Sequence, residues 1–139
     1  VIDPCGTDER GQPYGLLRGG SVSEQTPQEF AAFVKKALAC EGLRYASGGR
    51  PVRRAAVGGG SCSEYIARVA ELGYDAFVTA DCKYNGFADA QALGLTLVDA
   101  GHFQTENPVC AELARQLRAH FPELTVFLSK RHGDCIKFL

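Results

Sequence analysis

Short apolar segments alternate with amphipathic ones along most of the chain, and this alternation restricts the possible folds more than any other feature. Continuous apolar runs such as residues 76–80 and 95–98 are typical of strands buried on both faces of a sheet. The segments between them carry apolar residues three and four positions apart, as amphipathic helices do. This order predicts an α/β fold, a layered α/β/α lobe with a mostly parallel sheet and βαβ crossovers.

The predicted elements follow one another with short connections. Strands are predicted at residues 43–46, 52–57, 76–80, 95–98, 124–128 and 135–139. Helices are predicted at residues 27–40, 63–72, 85–93 and 107–120. The first helix opens with a capping box, in which Thr26 is followed by Glu29. The last helix is expected to bury Leu113, Ala114 and Leu117.

Both the start of the chain and its lack of Met indicate a piece of a longer protein. Residues 1–25 are polar and rich in turn residues, and they predict a connector from a missing N-terminal lobe. The α/β lobe is then expected to occupy residues 26–139. The first residue is Val1, so we expect a fragment.

The composition excludes several classes of protein. The chain has 139 residues, 45% of them hydrophobic, which fits one domain with a real core. Lys and Arg number 15 and Asp and Glu 16, and a net charge of −1 gives no long-range attraction to nucleic acid or an anionic membrane. No apolar run approaches the roughly 18 residues of a membrane helix, and no signal-peptide pattern is present. Six widely spaced cysteines predict reduced thiols, so we expect a cytoplasmic protein with no membrane partner.

Candidate site residues lie at the carboxyl ends of the predicted strands, where ligands gather in open parallel sheets. These ends carry Gly58-Gly59-Gly60-Ser61, Asp81-Cys82-Lys83-Tyr84, and Asp99, His102 and Glu106. The glycine-rich stretch either presents N–H groups to an anion or forms a tight turn, and its spacing favours the turn because it matches no phosphate-binding motif.

His102 and Glu106 are the pair whose spacing best fits a metal site. A nitrogen and an oxygen ligand together suit Zn, Fe, Mn or Ni, and four residues bring the two side chains together at the start of a helix. A zinc-type centre needs at least three protein ligands, and the further candidates are Asp81, Asp99, Cys62 and Cys82. The alternatives are that Glu106 complements a helix dipole and that Asp99 caps the next turn.

Several stretches resemble one known family. Residues 99–109 read D-A-G-H-F-Q-T-E-N-P-V and resemble the D-A-G-H-[FY]-x-T-E-x-P-V motif of the NIF-three-like dinuclear-metal-centre family, also called GTP cyclohydrolase I type 2 homologues. Residues 54–61 resemble its R-[VI]-A-V-x-G-G-S segment, and residues 78–84 its [VI]-T-G-D-x-K-[YH] segment. The resemblance covers nearly the whole chain and corresponds to the C-terminal half of the family.

The resemblance implies a two-metal site in which His102 and Glu106 are ligands. The family's other ligands, a His-His pair and a middle Asp, precede the region that this chain resembles. We therefore expect residues 1–139 alone to bind divalent metal weakly or not at all. The expected neighbours of the site are Asp81, Lys83, Tyr84 and Asp99, and no catalytic residue is assigned.

Two functions follow from the resemblance, and the sequence does not separate them. In the first, the intact protein is a metal-dependent hydrolase of a nucleotide or phosphate ester, with Asp81 or Lys83 near a small-molecule substrate. In the second, it is a metal-binding scaffold or a protein-interaction, regulatory protein without turnover. Family members resemble toroidal hexamers, so we expect a homo-oligomer and self-association of this chain. No nucleic acid partner is expected.

Overall fold

A five-stranded sheet with helices on both faces forms the centre of the molecule, and a computed structural model describes all of residues 1–139. The strands are β1 (Gly6–Thr7), β2 (Pro13–Tyr14), β3 (Leu17–Gln25), β4 (Arg44–Ala46), β5 (Val52–Ser61), β6 (Ala76–Ala80) and β7 (Thr96–Asp99). The helices are α1 (Pro27–Ala37), α2 (Ile66–Glu71), α3 (Tyr84–Ala92), α4 (His102–Glu106) and α5 (Pro108–His120), and a 3₁₀ turn spans Ser63–Tyr65. None of these helices has the length and apolar character needed to cross a bilayer.

The three central strands of the sheet run parallel. The strand order is β3-β5-β6-β7-β4, and β5, β6 and β7 are joined by α2 and α3 as βαβ crossovers. The edge strands β3 and β4 run antiparallel to their neighbours, and β1 and β2 form a separate hairpin. The predicted α/β fold is confirmed, and the carboxyl ends of the three parallel strands meet at one edge of the sheet.

Successive residues of the central strands bury their side chains on opposite faces of the sheet. Phe77 and Leu97 pack in the core that α2 and α3 cover. Val78 and Val98 pack in the core that α1 covers. Because both faces of β6 and β7 are buried, their sequences read as continuous apolar runs rather than as alternating ones.

The predicted capping box begins the first helix. The side chain of Thr26 accepts the N–H of Glu29 at 3.3 Å, and the side chain of Glu29 accepts the N–H of Thr26 at 2.8 Å. Both N–H groups would otherwise lack an intrahelical partner. α1 therefore begins where the sequence predicts, and it ends at Ala37, three residues earlier than predicted.

The prediction that residues 1–25 form a connector is wrong for their second half. Leu17–Gln25 is β3, which pairs with β5 from Leu17 opposite Gly58 to Gln25 opposite Val52. An edge strand leaves much of its surface in water, and only Leu17 within β3 is fully buried. The polar residues of β3 therefore have the composition of a turn or connector, although they belong to the sheet.

The strand predicted at residues 52–57 continues to Ser61. The glycine-rich stretch thus lies within β5 and forms neither a tight turn nor an anion-binding loop. The pairing of β5 with β6 shifts register between Val57 and Ser61, and Gly60 has a φ of +66°. Glycine adopts this left-handed conformation without steric penalty, which permits a bulge at the end of the strand.

The strands predicted at residues 124–128 and 135–139 do not form. Their β-branched and aromatic residues favour a strand, but a strand needs a hydrogen-bonding partner, and these residues pair with no strand of the sheet. Ala114 of α5 is buried as predicted, whereas Leu113 and Leu117 are 52% and 43% exposed. The expected burial of these two leucines is wrong because α5 packs mainly on α4 and not on the sheet.

Replacing Thr26 with Ala should lower the free energy of unfolding by about 1 kcal/mol, because the Glu29 N–H loses its acceptor. Urea denaturation followed by circular dichroism measures the change. Thr125→Ala is the matched control, since Thr125 is exposed and lies outside any helix or strand. An equal effect of the two substitutions would contradict the role of the capping box.

Candidate metal centre

The carboxylate of Asp99 fixes the ends of two parallel strands relative to each other. Asp99 ends β7 and is only 6% exposed. It accepts the N–H of Cys82 at 3.0 Å and the N–H of Gly101 at 3.2 Å, and it pairs with the guanidinium of Arg44. Arg44 in turn donates to the carbonyl of Cys82 at 3.1 Å. Since protein donors occupy both carboxylate oxygens, Asp99 lies beside the candidate site as a structural residue.

Asp81 directly follows β6 and directs its carboxylate toward α4. Its Oδ2 atom lies 2.6 Å from Nδ1 of His102. The backbone of Asp81 has a φ of +56°, in the left-handed region that Asp tolerates better than most residues. The buried Ala80 precedes it, and Cys82, bound to Asp99, follows it. Asp81 is therefore held on both sides in the conformation that reaches His102.

The first turn of α4 brings the two candidate ligands together. Gly101, with a φ of +86°, turns the chain from β7 into α4, and His102 is the first residue of that helix. The Thr105 hydroxyl accepts the N–H of Gly60 at 3.0 Å, which joins α4 to the end of β5. Nε2 of His102 lies 3.3 Å from Oε1 of Glu106, so the predicted spacing does bring the two side chains together.

The absence of a side chain at Gly60 leaves the space beside both candidate ligands open. A Cβ atom built on Gly60 would lie 2.6 Å from Oε1 of Glu106 and 3.1 Å from Nε2 of His102. Any larger residue would therefore displace at least one of these two atoms.

Negative charge around the His102 ring favours a cation there. The hydrogen bond to Asp81 raises the pKa of His102 above its usual value, and the nearby charge of Glu106 acts in the same direction. His102 and Glu106 are about half exposed, so both remain accessible to an ion from solution. A proton and a divalent metal ion would compete for the same ring nitrogen.

The donor atoms fit part of a metal site. In a tetrahedral centre with bonds of about 2.0–2.1 Å, neighbouring ligand atoms lie about 3.3–3.4 Å apart. The observed separation of 3.3 Å between Nε2 of His102 and Oε1 of Glu106 is compatible with that geometry. No group of three or more His, Cys, Asp or Glu side chains is arranged to hold one ion. The chain thus offers two candidate ligands, fewer than the three that a zinc-type centre needs.

The cysteines considered as further ligands are buried thiols. Burial raises the pKa of Cys82 to about 12 and also raises the pKa of Cys62. Cys62 Sγ donates to the carbonyl of Gly59 at 3.4 Å, and both side chains pack in the core. A metal ion binds the thiolate form, which these environments disfavour.

Lys83 and Tyr84 lie away from the paired ligands. The Tyr84 side chain is 88% exposed at the start of α3. Lys83 lines a cleft between α2 and α3, together with Ser63 and Asp89. Of the expected neighbours, the structure brings only Asp81 into contact with His102.

Two shallow clefts flank His102, and the segment after α5 contributes to both. Arg44, Asp81 and Asp99 line one cleft together with Phe138. The other cleft is lined by Glu106, Phe103, Cys110, His132 and Cys135, among others. The His132 ring packs against Phe103 with centroids 5.0 Å apart, and Gln104 donates to Asp134 at 2.7 Å. The C-terminal segment therefore borders the candidate metal centre, although the sequence assigned it to strands.

The sequence gives no signal that singles out Thr105, which belongs to the T-E part of the C-terminal motif. Gly60 is among the candidates at the strand ends, but its glycine-rich stretch favours a turn and not a place beside His102 and Glu106. The two motifs meet through one hydrogen bond, from the Gly60 N–H to the Thr105 hydroxyl.

Comparison with known proteins identifies one family. Residues 4–134 match the family model described as Duf34/NIF3 (NGG1p interacting factor 3). A GTP cyclohydrolase 1 type 2 homolog of Streptomyces coelicolor is 37% identical over 143 aligned positions, which cover 96% of this chain and 46% of that protein. One of Nostoc sp. is 46% identical over 68 positions, covering 49% of this chain and 26% of the relative.

Solved structures of similar proteins superpose on this chain. The crystal structure of a Bacillus cereus protein related to NIF3 superposes with a TM-score of 0.77 and 32% identity, covering 93% of this chain and 37% of that chain. A hypothetical protein of Staphylococcus aureus superposes with a TM-score of 0.81 and 26% identity, covering 92% and 45%. The chain thus spans about half the length, or less, of the relatives it matches.

Gly60→Ala should lower the free energy of unfolding by about 1–2 kcal/mol, because a Cβ is strained at this left-handed φ and meets both candidate ligands. Urea denaturation measures the loss, and NMR spectra of the His102 ring report its displacement. Gly20→Ala is the matched control, since Gly20 lies in a strand with open space around it. If both substitutions have the same effect on stability and on the ring, the close approach at Gly60 is unimportant.

Proposed function

The chain belongs to the Duf34/NIF3 family, and from this premise we propose that it is a metal-binding lobe in which His102 and Glu106 are ligands of a divalent cation. The observation that carries the proposal is the pairing of Nε2 of His102 with Oε1 of Glu106 at 3.3 Å, beside the space that Gly60 leaves open. Nitrogen and oxygen donors of this kind suit Zn, Fe, Mn and Ni.

The residues around the pair have distinct roles in this proposal. A divalent cation held there would supply Lewis acidity toward water or a phosphoryl oxygen. His102 would hold it through Nε2, and Glu106 would hold it through a carboxylate oxygen from the same helical turn. Gly60 and Thr105 keep α4 close to the end of β5 and leave room beside both donors.

The activity we propose for the whole protein is metal-dependent hydrolysis of a nucleotide or phosphate ester. The relatives' name, GTP cyclohydrolase 1 type 2 homolog, supports a nucleotide as the substrate class. The chain matches 46% or less of these relatives and offers only two ligands, so hydrolysis would require further ligands from outside these residues.

A metal-binding scaffold that acts by association is the second candidate. An apolar stripe along α5 and the residue that follows it supports this candidate. It is formed by Val109, Leu113, Leu117 and Phe121 at intervals of four residues, each between 43% and 53% exposed. The description of the family model as NGG1p interacting factor 3 also names an interaction. We propose that a second copy of the chain covers this stripe in a homo-oligomer.

Metal titration of residues 1–139 tests the ligand assignment. Calorimetry with Zn²⁺ should give weak binding, because two ligands leave most of the coordination sphere to water, and His102→Ala should abolish it. Glu106→Gln should weaken Zn²⁺ binding by at least about 10-fold. Loss of a residue that only hydrogen-bonds to a ligand already costs about that much, and loss of a ligand should cost no less.

The matched controls are His120→Ala, at the exposed end of α5, and Glu41→Gln, an exposed residue outside any element. Neither control should change the titration. Binding that survives His102→Ala, or tight stoichiometric binding lost on substitution of Cys62 or Cys82, would contradict the assignment.

Sedimentation velocity tests whether copies of the chain associate through the apolar stripe. The wild-type chain should sediment as an oligomer at high concentration, and Leu117→Glu should shift it to monomer because a charge cannot be buried in the apolar contact. Ala119→Glu places the same charge on the opposite face of α5 and should leave the oligomer intact. A monomeric wild-type chain at high concentration would overturn this part of the proposal.

A further inference from the structure

We infer that Asp81 is a positioning residue that holds the His102 ring with Nε2 directed toward the space beside Glu106 and Gly60. The inference rests on the proposed function, since it assigns Nε2 as the metal-binding atom. Asp81 is thus a partner outside the proposed pair of ligands, and it determines which tautomer of the His102 ring the protein holds.

The hydrogen bond between the two side chains determines where the ring proton lies. Oδ2 of Asp81 is 2.6 Å from Nδ1 of His102, and a carboxylate accepts hydrogen bonds only. Glu106 also faces the ring, but its Oε1 lies 3.3 Å from Nε2, so the shorter contact to Asp81 holds the proton of a neutral ring on Nδ1 and leaves the lone pair on Nε2. Nε2 is the atom that lies 3.3 Å from Glu106, so the bond to Asp81 prepares the ring for a metal ion on that side.

Asp81 itself does not share the proposed ion with Nε2. The two nitrogens lie on different sides of the imidazole ring, and Asp81 occupies the Nδ1 side. A carboxylate that binds the distal nitrogen of a metal-bound histidine orients the ring and increases its basicity. The contact observed here is of that kind.

The backbone around Asp81 enforces this contact. A non-glycine residue at a φ of +56° is strained, and such strain persists only where neighbouring contacts impose it. Thr79, two residues earlier, donates to the carbonyl of Gly60 at 2.9 Å and accepts the N–H of Cys62 at 3.0 Å. Cys82, one residue later, is bound through its N–H to Asp99. Contacts to β5 and β7 thus fix the segment that carries Asp81.

Nitrogen-15 NMR of the metal-free chain, recorded above the pKa of His102, tests the tautomer directly. The wild-type chain should show the Nδ1–H form. Asp81→Gly removes the acceptor and suits the left-handed backbone, so the ring should change to a mixture of tautomers. Asp81→Asn keeps an oxygen acceptor, but its amide N–H can also donate to Nδ1, so it should hold the Nδ1–H form less completely than the wild-type chain.

Zn²⁺ titration of the same variants tests the consequence for binding. Asp81→Gly should weaken Zn²⁺ binding by about 10–100-fold, and Asp81→Asn should restore part of the loss. Asp89→Asn, which removes one exposed carboxylate on α3, is the control for net charge and should leave both measurements unchanged. Thermal unfolding of each variant shows whether it is folded, and Asp81→Ala, which also removes the acceptor, replaces Asp81→Gly if that variant does not fold.

The outcomes separate this inference from the proposed function. A wild-type chain that shows the Nδ1–H form but binds no Zn²⁺ contradicts the proposed function and removes the metal role of Asp81 with it. An Nδ1–H form that persists in Asp81→Gly, or a wild-type ring that is protonated on Nε2, overturns the inference even if Zn²⁺ binds at His102. Unchanged Zn²⁺ affinity in Asp81→Gly, with the tautomer released, also overturns it. If Asp81→Gly does not fold, an Nδ1–H form that persists in Asp81→Ala overturns it as well.

Discussion

The buried carboxylate of Asp99 is the interaction on which the geometry of the candidate centre depends. It joins the end of β7 to the chain after β6, to the turn before α4 and to Arg44 on the neighbouring edge strand. An unpaired carboxylate at this depth would be unfavourable, and the three donors together compensate for its burial. Because Asp81 precedes Cys82 and His102 follows Gly101, the same contacts place Asp81 and His102 side by side.

A second constraint comes from the close approach of α4 to β5. The parallel arrangement of β5, β6 and β7 brings their carboxyl ends to one edge, but side chains there converge only if the following elements pack closely. Gly60 permits this packing, and the hydrogen bond from its N–H to Thr105 fixes it. The candidate centre therefore combines a glycine on β5 that leaves room with a short helix that carries both candidate ligands.

Local patterns in the sequence predict much of this arrangement. The apolar runs of β6 and β7 indicate a sheet covered on both faces, and the Thr26–Glu29 capping box marks the start of α1. The four-residue spacing of His102 and Glu106 predicts their proximity, since it follows from helix geometry alone. The polar edge strand β3 is missed because an exposed edge has the composition of a loop. The contact between Asp81 and His102 depends on tertiary structure, and no spacing rule relates residues so far apart in sequence.

Anomalous diffraction from crystals of the chain soaked in Zn²⁺ tests the account most directly, because it locates the ion without reference to activity. A zinc peak should lie about 2.0–2.2 Å from both Nε2 of His102 and a carboxylate oxygen of Glu106, with Asp81 still bound to Nδ1. A zinc ion bound instead at His132 or Cys135, or a peak on the Nδ1 side of His102, would contradict it.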